Sequence, residues 1–371
     1  MTGKHAICSP SGASGWMTCP AWSSDSTGSK FAREGSAAHA LAERTLTEQN
    51  VAMAYLGEEI IIDDETFTVD VEMASNVQKY VDLVRSIPGE LFVEQKLPLE
   101  SITGEKDAEG TSDAVIILHD QLFVVDLKYG MGVRVDAEEN KQLMIYALAA
   151  MEKFSEKYKI KHVHMIISQP RLNHISEWDC TAQYLCEFAL KVKPAAAKKL
   201  AGSIEMHPSV DGCRWCSKKS NCSALLMYSM NLIADDFDAP ADKVDVKPDD
   251  ELDEIYPKLA LAEMWIEAVR AKIEQRLLDG HQFNSVKLVA GKLGNRRWSD
   301  DRRAEQLMRE LDLEDEEMYS FDVLSPPKME KMLKQKPEAW EALKLLVVQP
   351  EGKPIIADIS DKRPAISEDF S

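Results

Sequence analysis

Apolar and polar positions follow two different periods along the first two-thirds of the chain, and each switch between them marks an element. From Glu34 to about Tyr55 the sequence is Ala-rich with apolar residues at helical spacing, and Gly35 falls near the start of that helix. Glu90–Leu99, Asp113–His119 and Leu122–Lys128 read as strands; the stretch from 56 to 89 receives no assignment. Ala137–Lys153 is a strong helix, with Leu143, Tyr146, Ala147, Ala150 and Met151 on one face. Lys161–Gln169 is a further strand, and Trp178–Leu200 a further helix. The resulting order is helix, three strands, helix, strand, helix. A mixed sheet flanked by helices, an α/β arrangement, satisfies it.

The pattern lapses at Ala234–Asp250, where seven Asp and two Pro stand with almost no large apolar residue. Such a stretch reads as an exposed linker. It divides the chain into residues 1–230, a linker at 231–250 and a C-terminal region at 251–371. That last region opens with a long helix, Glu251–Leu278. A hairpin over Phe283–Ala290 and Asn295–Trp298 follows, turned by Gly-Lys-Leu-Gly, and then two short helices.

Charge narrows the function classes. The 371 residues hold 44 Lys plus Arg against 63 Asp plus Glu, a formal net charge of −19. Non-specific coating of nucleic acid needs clustered cations and is disfavoured. A local basic groove stays open, and so does a set of carboxylates gathered around divalent metal. No apolar run approaches the roughly 20 residues that cross a bilayer, and Met1–Pro10 lacks the features of a signal peptide. The expected location is the cytoplasm, with no membrane partner.

The densest candidate chemistry is Asp113, Asp126 and Lys128. With only Asp120 and Gln121 between the two strands, a tight hairpin is expected, whose opposed residues sum to 241. Asp113 then faces Lys128, and Asp126 shares their side of the sheet because strand side chains alternate. Two nearby carboxylates suit Mg²⁺ or Mn²⁺, and an ammonium beside them can position a nucleophile or offset developing charge. A solvated strand with a fortuitous salt bridge fits the same short string. His39 lies on the first helix with Glu43 four residues on, a candidate metal ligand and its orienting partner. Gln142 and Tyr146 share a face of the second helix.

Seven cysteines in a chain with no export signal do not suggest a disulfide framework. Three of them, Cys213, Cys216 and Cys222, form a C-x2-C-x5-C cluster that lacks one thiolate of a closed zinc site or an iron–sulfur cubane. Cys8, Cys19, Cys180 and Cys186 are the candidates for the fourth, and spacing alone leaves zinc and iron–sulfur open. Further on, Arg296, Arg297 and Trp298 combine positive charge with an aromatic ring. The Trp could stack a base of single-stranded DNA, or it could pack on the long helix.

Taken in order, Gly35-x3-His39-x3-Glu43, Gly-Thr-Ser-Asp113, Val-Val-Asp126-Leu-Lys128 and Gln142-x3-Tyr146 resemble the successive motifs of RecB-type nucleases of the PD-(D/E)XK superfamily, across about 110 residues. The resemblance implies a restriction-endonuclease-like mixed sheet flanked by helices, with an α+β C-terminal extension. It implies metal held by His39, Asp113, Asp126 and the Leu127 carbonyl, with Glu94 as a further candidate ligand. Lys128 would assist the attacking water, and Gln142 and Tyr146 would steady the site or touch DNA. Asp stands at 126 where many relatives have Glu. Cys19 followed by the three later cysteines resembles the branch containing AddB and the CRISPR-adaptation nucleases, whose four cysteines hold a [4Fe–4S] cluster that clamps the domain's ends; zinc is the alternative. The whole chain also resembles an uncharacterised family encoded largely by phages and prophages. The implied activity is a metal-dependent DNA exonuclease in the bacterial host cytoplasm. It would act on single strands or duplex ends in recombination, with a phage single-strand annealing protein as a further candidate partner. A non-catalytic DNA-binding scaffold that kept the fold is the alternative.

Overall fold

The computed structural model describes residues 6–24, 30–237 and 249–287, with isolated positions at 331, 338, 340 and 341. A short turn of 3-10 helix, Pro10–Gly12, leads into α1 (Ala13–Trp16), and α2 (Lys30–Thr47) follows. The hairpin β1 (Glu59–Ile62) and β2 (Glu65–Thr68) and the helix α3 (Val71–Ser86) fill the unassigned stretch. Asp70 caps α3, its carboxylate accepting the Met73 N–H at 2.7 Å. The main sheet contains β3 (Glu90–Pro98), β4 (Glu109–Leu118), β5 (Gln121–Leu127), β6 (His162–Gln169) and β7 (His174–Thr181), side by side in that order. α4 (Glu100–Thr103) links β3 to β4, α5 (Lys141–Lys153) crosses from β5 to β6, and α6 (Ala182–Leu200) leaves β7. α7 (Val210–Arg214), α8 (Ser223–Phe237) and α9 (Asp249–Leu278) follow.

The expected mixed sheet is present. Only β5 and β6 run parallel, since the α5 crossover returns the chain in the same direction; every other neighbouring pair is antiparallel. β4 and β5 are buried on both faces, which explains their unbroken apolar runs. Val115, Ile117, Leu122 and Val124 pack with α5 and α6, while Ala114, Ile116 and Val125 pack with α2 and α3. α5 is buried continuously from Leu143 to Ala150 rather than along one stripe, because the N-terminal segment with Ala13 and Trp16 joins its core.

Four expectations need correction here. The first helix ends at Thr47 rather than about Tyr55, with a separate 3-10 turn at Ala52–Tyr55. The β4–β5 turn falls on His119 and Asp120, so paired residues sum to 239 rather than 241, as in Ala114 with Val125. This two-residue shift preserves the faces but sets Asp113 level with Asp126 instead of Lys128. Residues 178–181 belong to edge strand β7, and α6 begins only after Thr181, whose hydroxyl accepts the Tyr184 N–H. Residues 283–287 carry no strand. The remainder of the expected hairpin, with Arg296, Arg297 and Trp298, lies outside the described residues.

Packing divides the chain into residues 1–289 and 290–371. Within the first unit, α8 extends through residue 231 to Phe237, and Leu261 of α9 shares a small core with Cys213 and Leu225.

Candidate functional site

Asp113 sits where the sheet comes apart. The β3–β4 ladder joins Val93 to Ala114 and Gln95 to Ser112 but skips the pair between them, Glu94 and Asp113. The β4–β5 ladder stops at Ala114–Val125, one step short of Asp113 and Asp126. Three carboxylates therefore stand level on three adjacent strands. Glu94 adopts a left-handed backbone at φ 43°, which costs a non-glycine residue about 1–2 kcal/mol. The Asp113 side chain takes over the missing backbone role: its Oδ2 accepts the Leu127 N–H at 2.7 Å.

Two helices complete the arrangement. α2 brings His39 to Asp113, with Nδ1 3.2 Å from Oδ1. Glu43 is exposed and makes no hydrogen bond to His39, so Asp113 orients that ring instead. α5 brings Gln142 to the other carboxylate: its Nε2 donates to Asp126 Oδ1 at 2.9 Å, and its Oε1 accepts from Lys128 Nζ at 2.9 Å. Lys128 Nζ also lies 2.9 Å from Asp126 Oδ2. That contact is an ion pair outside hydrogen-bond geometry, so Oδ2 accepts no hydrogen bond among the described residues. Asn140 holds the start of α5 through its side-chain oxygen, which accepts the Gln142 and Leu143 N–H groups. Tyr146, one turn beyond Gln142, is buried and packs under Gly110; a Cβ there would stand 3.0 Å from the ring.

Crowded charge shapes the titration of these groups. Burial and the neighbouring Asp113 push Glu94 up to about 7. Burial alone would raise Asp113, but the charge and hydrogen bond of His39 outweigh it and hold that carboxyl below its usual range. Asp126 goes the other way, raised by burial and by Asp113 against the pull of Lys128. Burial works against the charged forms of His39 and Lys128, yet the carboxylates prevail and both are raised. Lys128 is thus an ammonium at neutral pH. Solvent still reaches the site, since the side chains of His39 and Lys128 keep 32% and 30% exposure.

His39, Glu94 and Asp113 offer ligand atoms that all lie within 4.8 Å of one another. One imidazole nitrogen and two carboxylate oxygens are a donor set for a first-row divalent ion or Mg²⁺. Glu94, the further candidate ligand from sequence, belongs to this trio. Asp126 stands beside it, engaged by Lys128 and Gln142. Tyr80 of α3 escaped the sequence reading altogether. Its buried hydroxyl has no hydrogen-bond partner among the described residues, and the charges of Asp113, Asp126 and Glu94 add to burial in raising its pKa. No local motif marks it; only the packing of α3 against the sheet does.

The four expected cysteines are brought together. Cys19, Cys213, Cys216 and Cys222 line one cavity of about 130 Å³. Backbone bonds stitch its walls: Ala21 N–H donates to Glu205 O at 3.2 Å and Ser217 N–H to Ser23 O at 2.8 Å. Lys218 Nζ donates to Ala21 O at 3.0 Å, and Lys199 Nζ to Pro20 O at 3.2 Å and to Trp22 O. Cys213 is raised by burial, partly offset by the Ser209 backbone, with the three other thiols adding to the rise. Cys8 is not part of this group. It is buried in the main core against Ala196 O, and burial lifts its thiol to about 12. Cys180 lies on β7, and Cys186 is exposed on α6.

The family described as "Protein of unknown function (DUF2800)" matches residues 5–364, almost the full length, and the chain belongs to that family.

Proposed function

We propose that this member of the DUF2800 family is a divalent-metal-dependent DNA exonuclease with a RecB-like PD-(D/E)XK core. What carries the reading is the approach of His39, Glu94 and Asp113 to within 4.8 Å at a break in the sheet, with the Lys128 ammonium held alongside. Three ionisable groups with so few counter-charges are costly unless a cation joins them. A Mg²⁺ or Mn²⁺ bound there would polarise a phosphate oxygen and lower the pKa of a water. The chain's own residues do the rest. Glu94 would have to give up its proton to serve as a ligand, and Asp113 keeps His39 turned toward the ligand set. Lys128, unable to act as a base while protonated, would donate a hydrogen bond to the phosphate and offset the charge that develops as the phosphodiester breaks, with the attacking water's proton passing to solvent and the leaving oxygen taking one back from it. Gln142 fixes Lys128 against Asp126, and Leu127 shares its backbone between strand and site.

The cysteine cavity is read as the seat of a structural [4Fe–4S] cluster, with zinc as the alternative: four cysteines line it, four thiolates suit either group, and the preference for iron–sulfur rests on the resemblance of the cysteine layout. Cys19 and Cys213 stand 194 positions apart, so the cluster would tie the two ends of the catalytic unit.

Both assignments are directly testable. Asp126→Ala and Lys128→Ala should each remove Mn²⁺-dependent degradation of DNA; degradation at wild-type rate in both would refute the enzyme reading. Protein purified without oxygen should be brown, with about four irons per chain. A colourless preparation with one zinc would refute the cluster.

A further inference from the structure

The cavity that gathers the four cysteines also has a hydrogen-bond donor in its wall with nothing to donate to. Trp22 is only 7% exposed and lines that cavity together with Cys19, Cys213, Cys216 and Cys222. Its indole Nε1 is buried and has no hydrogen-bond partner among the described residues. An indole N–H can only donate, and shutting it away unpaired is costly, so a buried tryptophan ordinarily finds an acceptor. Trp16, in the neighbouring α1, does so: its Nε1 donates to Ser9 O at 2.8 Å.

The Trp22 ring is held where it stands. Its backbone N–H donates to Cys19 O at 2.9 Å, and its carbonyl accepts from Lys199 Nζ. The ring itself packs against α1 and the turn before it, where glycine leaves the room. A Cβ at Gly15 would stand 2.2 Å from the ring, and one at Gly12 2.9 Å from it. Any side chain at either position would push the indole off this seat. The charged groups of the cavity wall, by contrast, have partners in the protein. Lys218 Nζ donates to Ala21 O at 3.0 Å and Lys219 Nζ to Arg214 O at 2.7 Å, while His207 Nε2 lies 3.6 Å from Glu205 Oε2. Asn221 is the remaining polar side chain of the wall.

We infer that Trp22 is a cofactor-binding residue, whose indole N–H donates to a sulfur of the group held by Cys19, Cys213, Cys216 and Cys222. The inference rests on the iron–sulfur reading of those cysteines and is independent of the nuclease reading. No cysteine sulfur accepts this N–H in the structure, so the missing acceptor comes with the bound group. A hydrogen bond to sulfur favours the more negative, reduced state of a cluster and raises its potential. An indole present for packing alone would leave the potential where it is when a phenyl ring replaces it.

The test uses full-length protein purified without oxygen. Trp22→Phe keeps an aromatic ring and removes the N–H. It should retain about four irons per chain, and in a dithionite titration its cluster should be about tenfold harder to reduce, which is 59 mV lower for one electron. Wild type labelled with ¹⁵N in its tryptophans should show ¹⁵N coupling to the reduced cluster by pulsed electron paramagnetic resonance, and Trp22→Phe should lose it. Trp215 is the control, since it adjoins Cys216 but is 65% exposed; Trp215→Phe should keep both the potential and the coupling. Should Trp22→Phe fail to fold, the labelled wild type decides alone. Iron-loaded wild type without ¹⁵N coupling, or Trp22→Phe at the wild-type potential, overturns the inference and leaves the cluster reading standing. A wild type that carries no iron overturns both.

Discussion

Glu94 shows most plainly what the site is built to hold. Its carboxyl titrates near pH 7 in the metal-free protein because burial and Asp113 oppose its charge. The unfolded chain ionises this group near its ordinary 4.5, so between about 4.5 and 7 the folded state binds the extra proton. Metal-free protein should therefore lose stability as pH rises through that window. Glu94→Gln should remove the loss, raising the melting temperature at pH 8 by a few degrees, on the order of 1 kcal/mol, and weakening Mn²⁺ binding. If the substitution destabilises the metal-free protein at pH 8, the charge at Glu94 is not the strain we take it to be. Metal must also displace protons from Glu94 and from His39, which Asp113 keeps charged to higher pH. Titration calorimetry should show Mn²⁺ affinity falling about tenfold or more per pH unit below 7 and levelling off once both protons are gone. Lys128→Met should cut kcat by about 10²-fold or more with little change in Mn²⁺ affinity, and should cost about 3 kcal/mol of stability because Asp126 is left buried beside an amide alone.

At the scale of elements, the helices and strands that carry this site were legible in the chain, but their register was not. Alternation distinguishes the faces of a strand only where one face is wet. β4 and β5 are buried on both, so nothing in Val115–Ile117 or Leu122–Val125 could separate a turn at 119–120 from one at 120–121. A two-residue shift keeps side chains on their face, and for that reason the convergence of Asp113, Asp126 and Lys128 survives although their pairing changes. β7 was hidden for the opposite reason: an edge strand with every other position exposed carries no apolar run, and only the Thr181 cap marks where α6 starts. The spacing of Cys213, Cys216 and Cys222 was legible because three thiols close in sequence need no register to be recognised as a set, whereas Cys19 joined them only through the resemblance. The segment they anchor is tightly built: a Cβ at Gly15 would stand 2.2 Å from the Trp22 ring, and Trp16 is buried with α5. Cys213→Ser should thus lower stability by about 3–5 kcal/mol, the scale of a cross-link closing a long loop. It should also open residues 6–24 to limited proteolysis and reduce activity through α5, which carries Gln142. Unchanged proteolysis in Cys213→Ser would remove the clamp from the account.

For the whole molecule, residues 1–289 form the packing unit that contains both the carboxylate site and the cysteine cavity. No helix among the described residues is long and apolar enough to cross a membrane. The excess of negative charge has a consequence of its own. It draws divalent cations toward the site and repels a polyanion, so loading with metal should precede and assist loading with DNA. Apparent KM for a single strand should fall as free Mg²⁺ rises from 0.1 toward roughly 10 mM, beyond what occupancy of one metal site requires; a KM that tracks site occupancy alone would show that the net charge plays no part. The central claim, hydrolysis of DNA by a metal held at His39, Glu94 and Asp113, is reached most directly with end-labelled single- and double-stranded DNA, full-length protein and Mn²⁺. Wild type should shorten the label progressively, chelator should stop it, and Asp113→Ala, purified in parallel, should leave the DNA intact. Equal degradation by wild type and Asp113→Ala, or none by wild type with the metal site filled, would contradict the account.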